Sequence, residues 1–468
     1  MTQETAILVT LIIYKIVLLA IGFFASSKTK DGTDFFLGGR TLGPTVAALS
    51  ASASSSSAWT LLGVSGAAYA GGLSAAWIFP ACVGGFFINW CLLGPGLRRE
   101  SAQSDALTVS EVLAGPPGTP SRQAVSRLGS FIIVVSLATY VATQFQGAGK
   151  TFSEVFGLNM GESILIGAGI VVIYTMMGGF WAVSLTDSLQ GFLMMGTSIL
   201  LPVAALYQVG GPVELWSQMQ QIEGFGSLGA GDGFFASMGF IAGLLGIGLG
   251  YPGQPHVVNR FMALKDEKSM ARGRQIAIGW AVVVYSGMLI LGWCGRILYP
   301  GLPDKEVVFL TATTALFPPI VAGIMIAAVV SAIMSTADSQ LLVLVSSLTH
   351  DMNLDGEKDD RLLAKSRAVI LVVSAVSVMV ALYGPTEIFK FVLFAWSAMG
   401  AAFGPLLLIT VLRGRVTPQA TLAAMTVGFV LSVAFYLIPA TKGGFIERVL
   451  PWCIAMAIGL AGSSKKDA

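Results

Sequence analysis

Ala51-Ser52-Ala53-Ser54-Ser55-Ser56-Ser57-Ala58-Trp59 sits inside an otherwise apolar stretch. Serine is a mediocre helix former, because its hydroxyl competes for backbone hydrogen bonds. The run from Ser54 to Ser57 therefore has two readings. It is a break in a helix, or it is a small-residue surface against which another helix packs closely. Which reading matters depends on the surrounding solvent, and composition identifies that solvent. Of 468 residues, 54% are hydrophobic and 11% charged, whereas a soluble domain carries about 25% charged residues. Mean hydropathy is +0.78. Glycine is abundant, at 56 residues, which suits close helix packing in a bilayer. The chain is read as an all-α polytopic membrane protein. A secreted enzyme, a nucleic-acid binder and a disordered scaffold are excluded. The four cysteines (Cys82, Cys91, Cys294, Cys453) all lie in apolar stretches and suggest neither a disulfide framework nor a zinc site.

A span needs about 20 apolar residues, and on that measure the chain offers about 13. They run roughly over 6–26, 42–72, 74–97, 127–153, 160–180, 185–208, 233–255, 273–298, 309–346, 363–383, 387–411, 417–437 and 447–463. The first contains Lys15 and no small-residue cleavage site follows it, so it reads as a retained helix rather than a signal peptide. Basic residues favour the cytoplasmic side. Of 27 Lys and Arg, one alternating set of connections holds 20: Lys28, Lys30, Arg40, Arg98, Arg99, Arg122, Arg127, Arg260, Lys265, Lys268, Arg272, Arg274, Lys358, Arg361, Lys365, Arg367, Arg413, Arg415, Lys465 and Lys466. The opposite set holds Lys150, Arg296, Lys305, Lys442 and Arg448. This predicts an external N-terminus, a cytoplasmic C-terminus and an odd number of spans. The connection before the seventh span carries Glu214, Glu223 and Asp232 but no basic residue, as expected outside. No connection is long enough for a soluble domain, so the whole chain is one membrane domain.

Within the bilayer, broken backbone is tolerated only where it faces protein or a water-filled cavity. Its freed carbonyls can then ligate a hard cation such as sodium. A second polar cluster, Ser331-Ala332-Ile333-Met334-Ser335-Thr336-Ala337-Asp338-Ser339-Gln340, lies in the ninth span. Ala332, Ser335, Thr336 and Ser339 share a helix face at spacings of three and four. An ionisable residue inside a span, here Asp338, is a functional candidate by default. The alternative is a carboxylate near the helix end, reached by water. Asp187, in Leu185-Thr186-Asp187-Ser188, reads as an acid in a first helical turn, favoured there by the dipole. It gains a further role only if it meets the Ser335–Asp338 face. Gly248-Leu249-Gly250-Tyr251-Pro252-Gly253-Gln254-Pro255-His256 cannot continue a regular helix. Gln254 to His256 read as a helix end at the membrane surface, whereas Tyr251 does not. Tyr140 and Gln144 are further polar groups inside a span. The two interrupted spans are five apart once the first span is set aside. That is the pattern of a carrier built from two inverted five-helix repeats, about 42–208 and 233–411, with an extra helix at 6–26 and C-terminal helices at 417–463.

Several strings resemble the sodium/solute symporter family, and within it the sodium/proline symporters. They are Leu37-Gly38-Gly39-Arg40-Thr41-Leu42-Gly43-Pro44, Ala48-Leu49-Ser50-Ala51, Gly250-Tyr251-Pro252-Gly253-Gln254-Pro255-His256 with Arg260-Phe261-Met262-Ala263, Met334-Ser335-Thr336 with Gln340-Leu341-Leu342, and Ala395-Trp396 with Gly400-Ala401-Ala402-Phe403-Gly404-Pro405. The resemblance implies a LeuT-type fold and sodium as the coupling ion. It implies a sodium site from the carbonyls of Ala53, Ser56 and Ala332 and the hydroxyls of Ser335 and Thr336. It implies a second sodium site, used by some members, at Asp187, Ser335, Asp338 and Ser339. The substrate pocket would involve Ser57, Trp59, Tyr140 and Tyr251. Three positions depart from the proline carriers: Ser55 stands where they commonly carry aspartate, Ala58 where they carry glycine, and Ile247 where a pocket tryptophan is expected.

The expected function is sodium-coupled import of a small zwitterion, proline or a related amino acid, in a bacterial inner membrane. The partners are then the solute, sodium and the lipid bilayer. A proton-coupled or differently selective carrier is the rival within transport, and a carrier-like sensor is a rival outside it. Nothing points to an enzyme: His256 and His350, the two histidines, are expected in cytoplasmic loops, and there is no HExxH string.

Overall fold

The structure, a computed structural model, describes residues 2–26, 37–176, 180–230, 233–353 and 362–463. Lys28, Lys30, Asp232, Lys358, Arg361, Lys465 and Lys466, which enter the charge reading, lie outside them. Among the described residues every extended element is helical, and pairing of extended backbone is confined to the isolated bridges Leu42–Leu264 and Val416–Ser463.

In chain order the helices are α1 (Gln3–Ser26), α2 (Pro44–Ser55), α3 (Ser65–Gly71), α4 (Ile78–Phe87), α5 (Gly94–Gln103), α6 (Val109–Ala114) and α7 (Arg122–Phe156). There follow α8 (Met160–Thr175), α9 (Phe180–Val209), α10 (Pro212–Gln221), α11 (Phe234–Leu245), α12 (Pro255–Met262), α13 (Glu267–Leu298) and α14 (Val308–Leu316). The last are α15 (Pro319–Thr349), α16 (Leu362–Tyr383), α17 (Ile388–Leu412), α18 (Pro418–Leu437), α19 (Phe445–Arg448) and α20 (Leu450–Ala461). Local chemistry sets several starts. Proline occupies the first turn of α2, α12, α15 and α18, where its missing N–H costs nothing. Thr108, Asn159 and Asp266 accept backbone N–H bonds at the starts of α6, α8 and α13.

Ten of these helical stretches are long and apolar enough to span a bilayer, against the thirteen spans expected. The difference has a physical origin. One stretch, Trp59–Gln103, runs through parts of two expected spans. The Met160–Thr175 helix is apolar but short, and the last expected span is divided between α19 and α20. Within the bundle, α17 and α15 form the core. Their apolar windows are 94% and 83% buried, against 22% for α1 and 28% for α18, which lie at the periphery.

Three chain breaks shape the interior. At the first, α2 stops at Ser55 and Ser56 leaves helical geometry (φ −119°, ψ 77°). The chain resumes as a π-helical turn over Trp59–Val64 before α3, so the serine run is a break and not merely a packing surface. At the second, α11 passes into a 3₁₀ stretch, Gly246–Gly253; Gln254 is extended (φ −102°, ψ 96°) and α12 then begins. The expected surface terminus at Gln254–His256 is therefore corrected. The helix restarts there, and Gln254 and His256 are fully buried. Two prolines cannot continue α11, but Pro255 is well suited to start α12. The third break was not expected: the ninth span, read as continuous, is divided at Phe317 and Pro318 between α14 and α15.

Each end of the bundle is tied by charge. At one end Arg40 donates to the carbonyls of Met262, Ser101 and Ala106 at 2.7–3.1 Å, and Arg98 donates to those of Leu264 and Lys265 at 3.0 and 2.7 Å. These cations satisfy carbonyls left open at the ends of α5 and α12. At the other end Glu306 caps α17 from outside it. Its carboxylate accepts the N–H groups of Ile388 and Phe389 at 3.0 and 2.8 Å, and Lys150 of α7 bonds it at 2.5 Å. Asp304 also pairs with Lys150, at 2.6 Å. Glu306 is fully buried. Removing one partner of a buried ion pair costs about 3–5 kcal/mol, and Asp304 keeps Lys150 partly satisfied. Glu306→Gln is expected to lower the melting temperature measured by a fluorescence thermal-shift assay in detergent. Asp304→Asn, at a half-exposed position, should lower it less.

Candidate functional site

The break at Ser56 and Ser57 frees backbone groups that must find partners inside the bundle. Gln144 of α7 supplies one: its Oε1 accepts the Ala58 N–H at 3.2 Å. Ser57 supplies another, since its hydroxyl accepts the Trp59 N–H at 3.1 Å and so caps the second half-helix. The second break is satisfied similarly. The Gln254 amide donates to the carbonyls of Gly250 and Trp396, both at 3.0 Å. The Trp396 indole N–H donates to the Ile247 carbonyl at 3.0 Å. Only glycine fits at 250: a Cβ there would lie 2.1 Å from the Trp396 indole nitrogen.

Below the first break the last carbonyls of α2 face α15. The Ser335 hydroxyl donates to the Ala53 carbonyl at 3.2 Å and to that of Ala332 at 3.3 Å. The Thr336 hydroxyl lies 3.4 Å from the Ala53 carbonyl and 3.2 Å from that of Ser54. These spacings suit a hard cation. Two oxygens each about 2.4 Å from an ion of calcium-like size, at a right angle, are about 3.4 Å apart. Of the five expected sodium ligands, Ala53, Ala332, Ser335 and Thr336 are thus brought together. Ser56 stands one residue past the helix end, and its hydroxyl meets Tyr285 at 3.3 Å. Ser55 takes no part, because its hydroxyl turns back to the Ser52 carbonyl at 2.9 Å.

One turn further along α15 is a charged cluster. Asp187 is not in a first turn: α9 starts at Phe180, and Asp187 is fully buried. Its Oδ2 accepts from Ser50 at 2.8 Å, Ser54 at 3.2 Å and the Arg260 guanidinium at 3.1 Å. Arg260 also donates to Ser339 at 2.6 Å and to Ser50 at 3.1 Å, and it bonds the His256 carbonyl. Ser339 meets Ser54 at 3.0 Å. Asp338 is fully buried, so the reading of a carboxylate reached by water at a helix end is corrected. Its Oδ1 accepts the Ser339 N–H at 2.7 Å. Asp187 Oδ1 and Asp338 Oδ2 have no hydrogen-bond partner among the described residues. Asp187 therefore does meet the α15 face, through Ser54, Ser339 and Arg260. Lys15 of α1 bonds the Met334 sulfur on the same helix.

On the other side of the break lies an aromatic chamber. Ser57 and Tyr140 hydroxyls are 3.2 Å apart. Tyr251 meets Tyr285 at 2.8 Å, and Tyr285 also reaches Thr60 at 3.5 Å. Trp396 packs edge-on against Tyr251, with centroids 4.7 Å apart, and Tyr140 lies 6.4 Å from it. Trp59 stacks on Phe389 at 5.5 Å, and its buried indole N–H has no hydrogen-bond partner among the described residues. The four expected substrate residues, Ser57, Trp59, Tyr140 and Tyr251, thus line one buried region. A polar donor, hydroxyls and flat apolar walls there suit a small zwitterion.

Sequence reasoning missed two residues that organise this site. The pattern of basic residues puts Arg260 in a cytoplasmic loop, yet it is fully buried. Its spacing of four from His256 on a proline-started helix was the available signal. Tyr285 was passed over as one aromatic in an apolar span. The expectation of His256 in a loop is corrected with that of Arg260: its ring lies 6.0 Å from Tyr140 inside the bundle.

Comparison with known proteins agrees with this geometry. The family model described as the sodium:solute symporter family matches residues 35–428. The chain is 33% identical to the osmoregulated proline transporter OpuE of Bacillus subtilis, over 97% of this chain and 94% of that one. It is 34% identical to the sodium/proline symporter of Escherichia coli, over 92% and 87% respectively. Among solved structures, a Na+-coupled sialic acid symporter in a substrate-bound outward-open state matches with a TM-score of 0.78 over 99% of both chains, at 18% identity. Mhp1, a nucleobase-cation-symport-1 family transporter, matches at 0.55 over 93% and 95%, at 11% identity. The latter two bear on fold alone and agree with a helical carrier architecture of the LeuT type. With the family model covering most of its length, the chain belongs to the sodium:solute symporter family.

Proposed function

We propose that this protein imports a small zwitterionic solute, proline or a close amino-acid relative, together with sodium. One observation carries the reading. The break after Ser55 places the Ala53 and Ser54 carbonyls within 3.2–3.4 Å of the Ser335 and Thr336 hydroxyls, directly beside the aromatic chamber. The ion is held by the carbonyls of Ala53, Ser56 and Ala332 and the hydroxyls of Ser335 and Thr336. Ser57, Trp59, Tyr140 and Tyr251 bind the solute. Asp187, Asp338 and Ser339, with Ser335, form a second cation region in which Arg260 supplies a built-in positive charge. Two inverted repeats, about 42–208 and 233–411, rock about this centre. The chain sits in a bacterial plasma membrane with its N-terminus outside and its C-terminus in the cytoplasm. The relatives named as proline transporters support the solute class.

The two ligands are coupled because they share one strand of broken backbone. Ala53 and Ser56 face the ion, while Ser57 and Trp59, one to three residues on, face the solute. If sodium tightens solute binding by some factor, the solute tightens sodium by the same factor.

The direct test is uptake of labelled proline into proteoliposomes, with an inward sodium gradient against a matched potassium control at constant pH. Sodium-dependent accumulation is expected. Accumulation driven by a pH gradient and indifferent to sodium would replace sodium by the proton. Ser335→Ala and Thr336→Ala should each raise the sodium concentration for half-maximal uptake about tenfold, equivalent to ~1.4 kcal/mol. An unchanged sodium requirement in both variants removes the site assignment.

The two carboxylates should separate in a second assay. Asp187→Asn leaves Arg260 buried without its countercharge, a loss of about 3–5 kcal/mol, so it should lower thermal stability. Asp338→Asn, which breaks no ion pair among the described residues, should leave stability nearly unchanged and weaken sodium activation. Equal melting temperatures for the two variants would contradict this division of roles.

A further inference from the structure

A cavity of about 490 Å³ opens at the Glu306 end of the bundle, between α11, the start of α17 and the chain from Tyr436 to Arg448. Its size lies within the range of small-ligand pockets, about 300–1,000 Å³. Ser57, Tyr140, Tyr251 and Tyr285 do not line it, whereas Phe389, which stacks on Trp59, does. Phe240, Leu244, Phe389 and Tyr436 give it an apolar side.

Its polar side is unusual. Arg448 lines the cavity and is 7% exposed. One Nη donates to the Gly243 carbonyl at 3.2 Å. Its Nε has no partner, and among the described residues no carboxylate pairs with it. Glu447 is the acidic neighbour of this guanidinium but makes no ion pair with it among the described residues. A buried guanidinium short of hydrogen-bond partners is costly, and its second Nη can meet a carboxylate. The neighbouring Glu447, 3% exposed, accepts the Gly443 N–H and also lines the cavity. Lys442 adds a second cation, held 4.1 Å from the Tyr436 ring. By contrast, Lys390 at the rim is already paired with Glu387 at 2.9 Å.

We propose that this cavity is a second solute site, which binds an α-amino carboxylate with an apolar side chain. The carboxylate sits on Arg448, the ammonium faces Glu447, and the side chain lies against Phe240, Leu244 and Phe389. An occupant would touch both helices that frame the central site. It would press on Phe389, and it would press on α11 just before the Gly246–Gly253 stretch that carries Tyr251. That coupling is tight because α11 crosses the 443–449 segment at contact distance. A Cβ on Gly243 would lie 2.7 Å from the Gly443 carbonyl oxygen.

The test is protection from thiol labelling in nanodiscs. Ala440, an exposed lining residue, is replaced by cysteine in a background where the accessible Cys91 and Cys453 are alanine. L-leucine at about four times its dissociation constant should slow maleimide labelling about fivefold, with or without sodium and with Trp59→Ala present. L-leucine methyl ester, which lacks the carboxylate, should not protect. Arg448→Gln should abolish protection. So should Ala236→Trp, which fills the cavity without touching the arginine and covers the case that Arg448→Gln does not fold. L-proline protecting as well as leucine would identify the site as a staging point for the transported solute; protection by leucine alone would identify an effector site. Equal protection by the ester overturns the proposal. So does protection that survives both cavity variants, a requirement for sodium and Trp59, or no protection at 50 mM leucine, roughly the weak limit of a useful small-ligand site. None of these readouts depends on proline uptake, so failure of the central assignment would leave this result standing.

Discussion

A backbone amide or carbonyl cannot be left bare inside a bilayer, and the rest of this structure follows from that constraint. Two helices are broken at mid-length, and each break is held open by a glutamine. Gln144 takes the Ala58 N–H, and Gln254 binds the Gly250 and Trp396 carbonyls. Without such partners the breaks would close into regular helix or be lost from the folded state. With them, some carbonyls of α2 are left facing side-chain hydroxyls instead of their own helix. These are the groups that can exchange a hydroxyl for a cation at small cost.

Charge is distributed by the same logic. Asp187 and Arg260 are both fully buried and joined at 3.1 Å, with Ser50, Ser54 and Ser339 filling most remaining bonds. The pair ties α9 to α12, and through the serines to α2 and α15. A buried pair of this kind is weak as a source of stability but strong as a constraint on geometry, since separating its partners is costly. It therefore keeps the two broken helices in register beside Ser335 and Thr336. At the opposite end Glu306 links Lys150 to the start of α17, so Phe389 is placed where it can stack on Trp59.

Much of this was legible in the sequence, and the part that was not has a common cause. Composition gives the solvent, and hydropathy gives most of the helices. Proline, glycine and serine runs mark two of the three breaks, because each acts on local backbone. Ser335 and Thr336 stand out because helical spacing puts them on one face. Arg260 and His256 were misplaced because a charge after a proline pair reads locally as a loop; only the restart of the helix as α12 carries them inside. The third break, at Pro318, fell in a run apolar enough to hide it. Tyr285 shows the general limit. Nothing local distinguishes a packing tyrosine from one whose hydroxyl joins both broken helices at 2.8 and 3.3 Å.

The same hydroxyls that would ligate sodium act here as donors. Ser335 and Thr336 hold the Ala53 and Ser54 carbonyls through long bonds of 3.2–3.4 Å. A cation binds the lone pairs of those oxygens, so the protons must turn elsewhere as the ion enters. Each neutral bond is worth about 0.5–1.5 kcal/mol net, which is small beside the attraction of several oxygens for a bare ion. The exchange is thus a switch in what holds α2 to α15: protein protons in one case and the ion in the other. Ser55 gives this site no carboxylate, and its hydroxyl is bonded to the Ser52 carbonyl instead. In the proposed site the attraction for the ion would come from neutral dipoles and from Asp338, whose Oδ2 has no hydrogen-bond partner among the described residues. In that arrangement the affinity for sodium is set by how well α2 and α15 are aligned. Alignment of α2 also positions Ser57 and Trp59, so under the proposed assignment a solute that orders those two residues would raise sodium affinity without touching the ion.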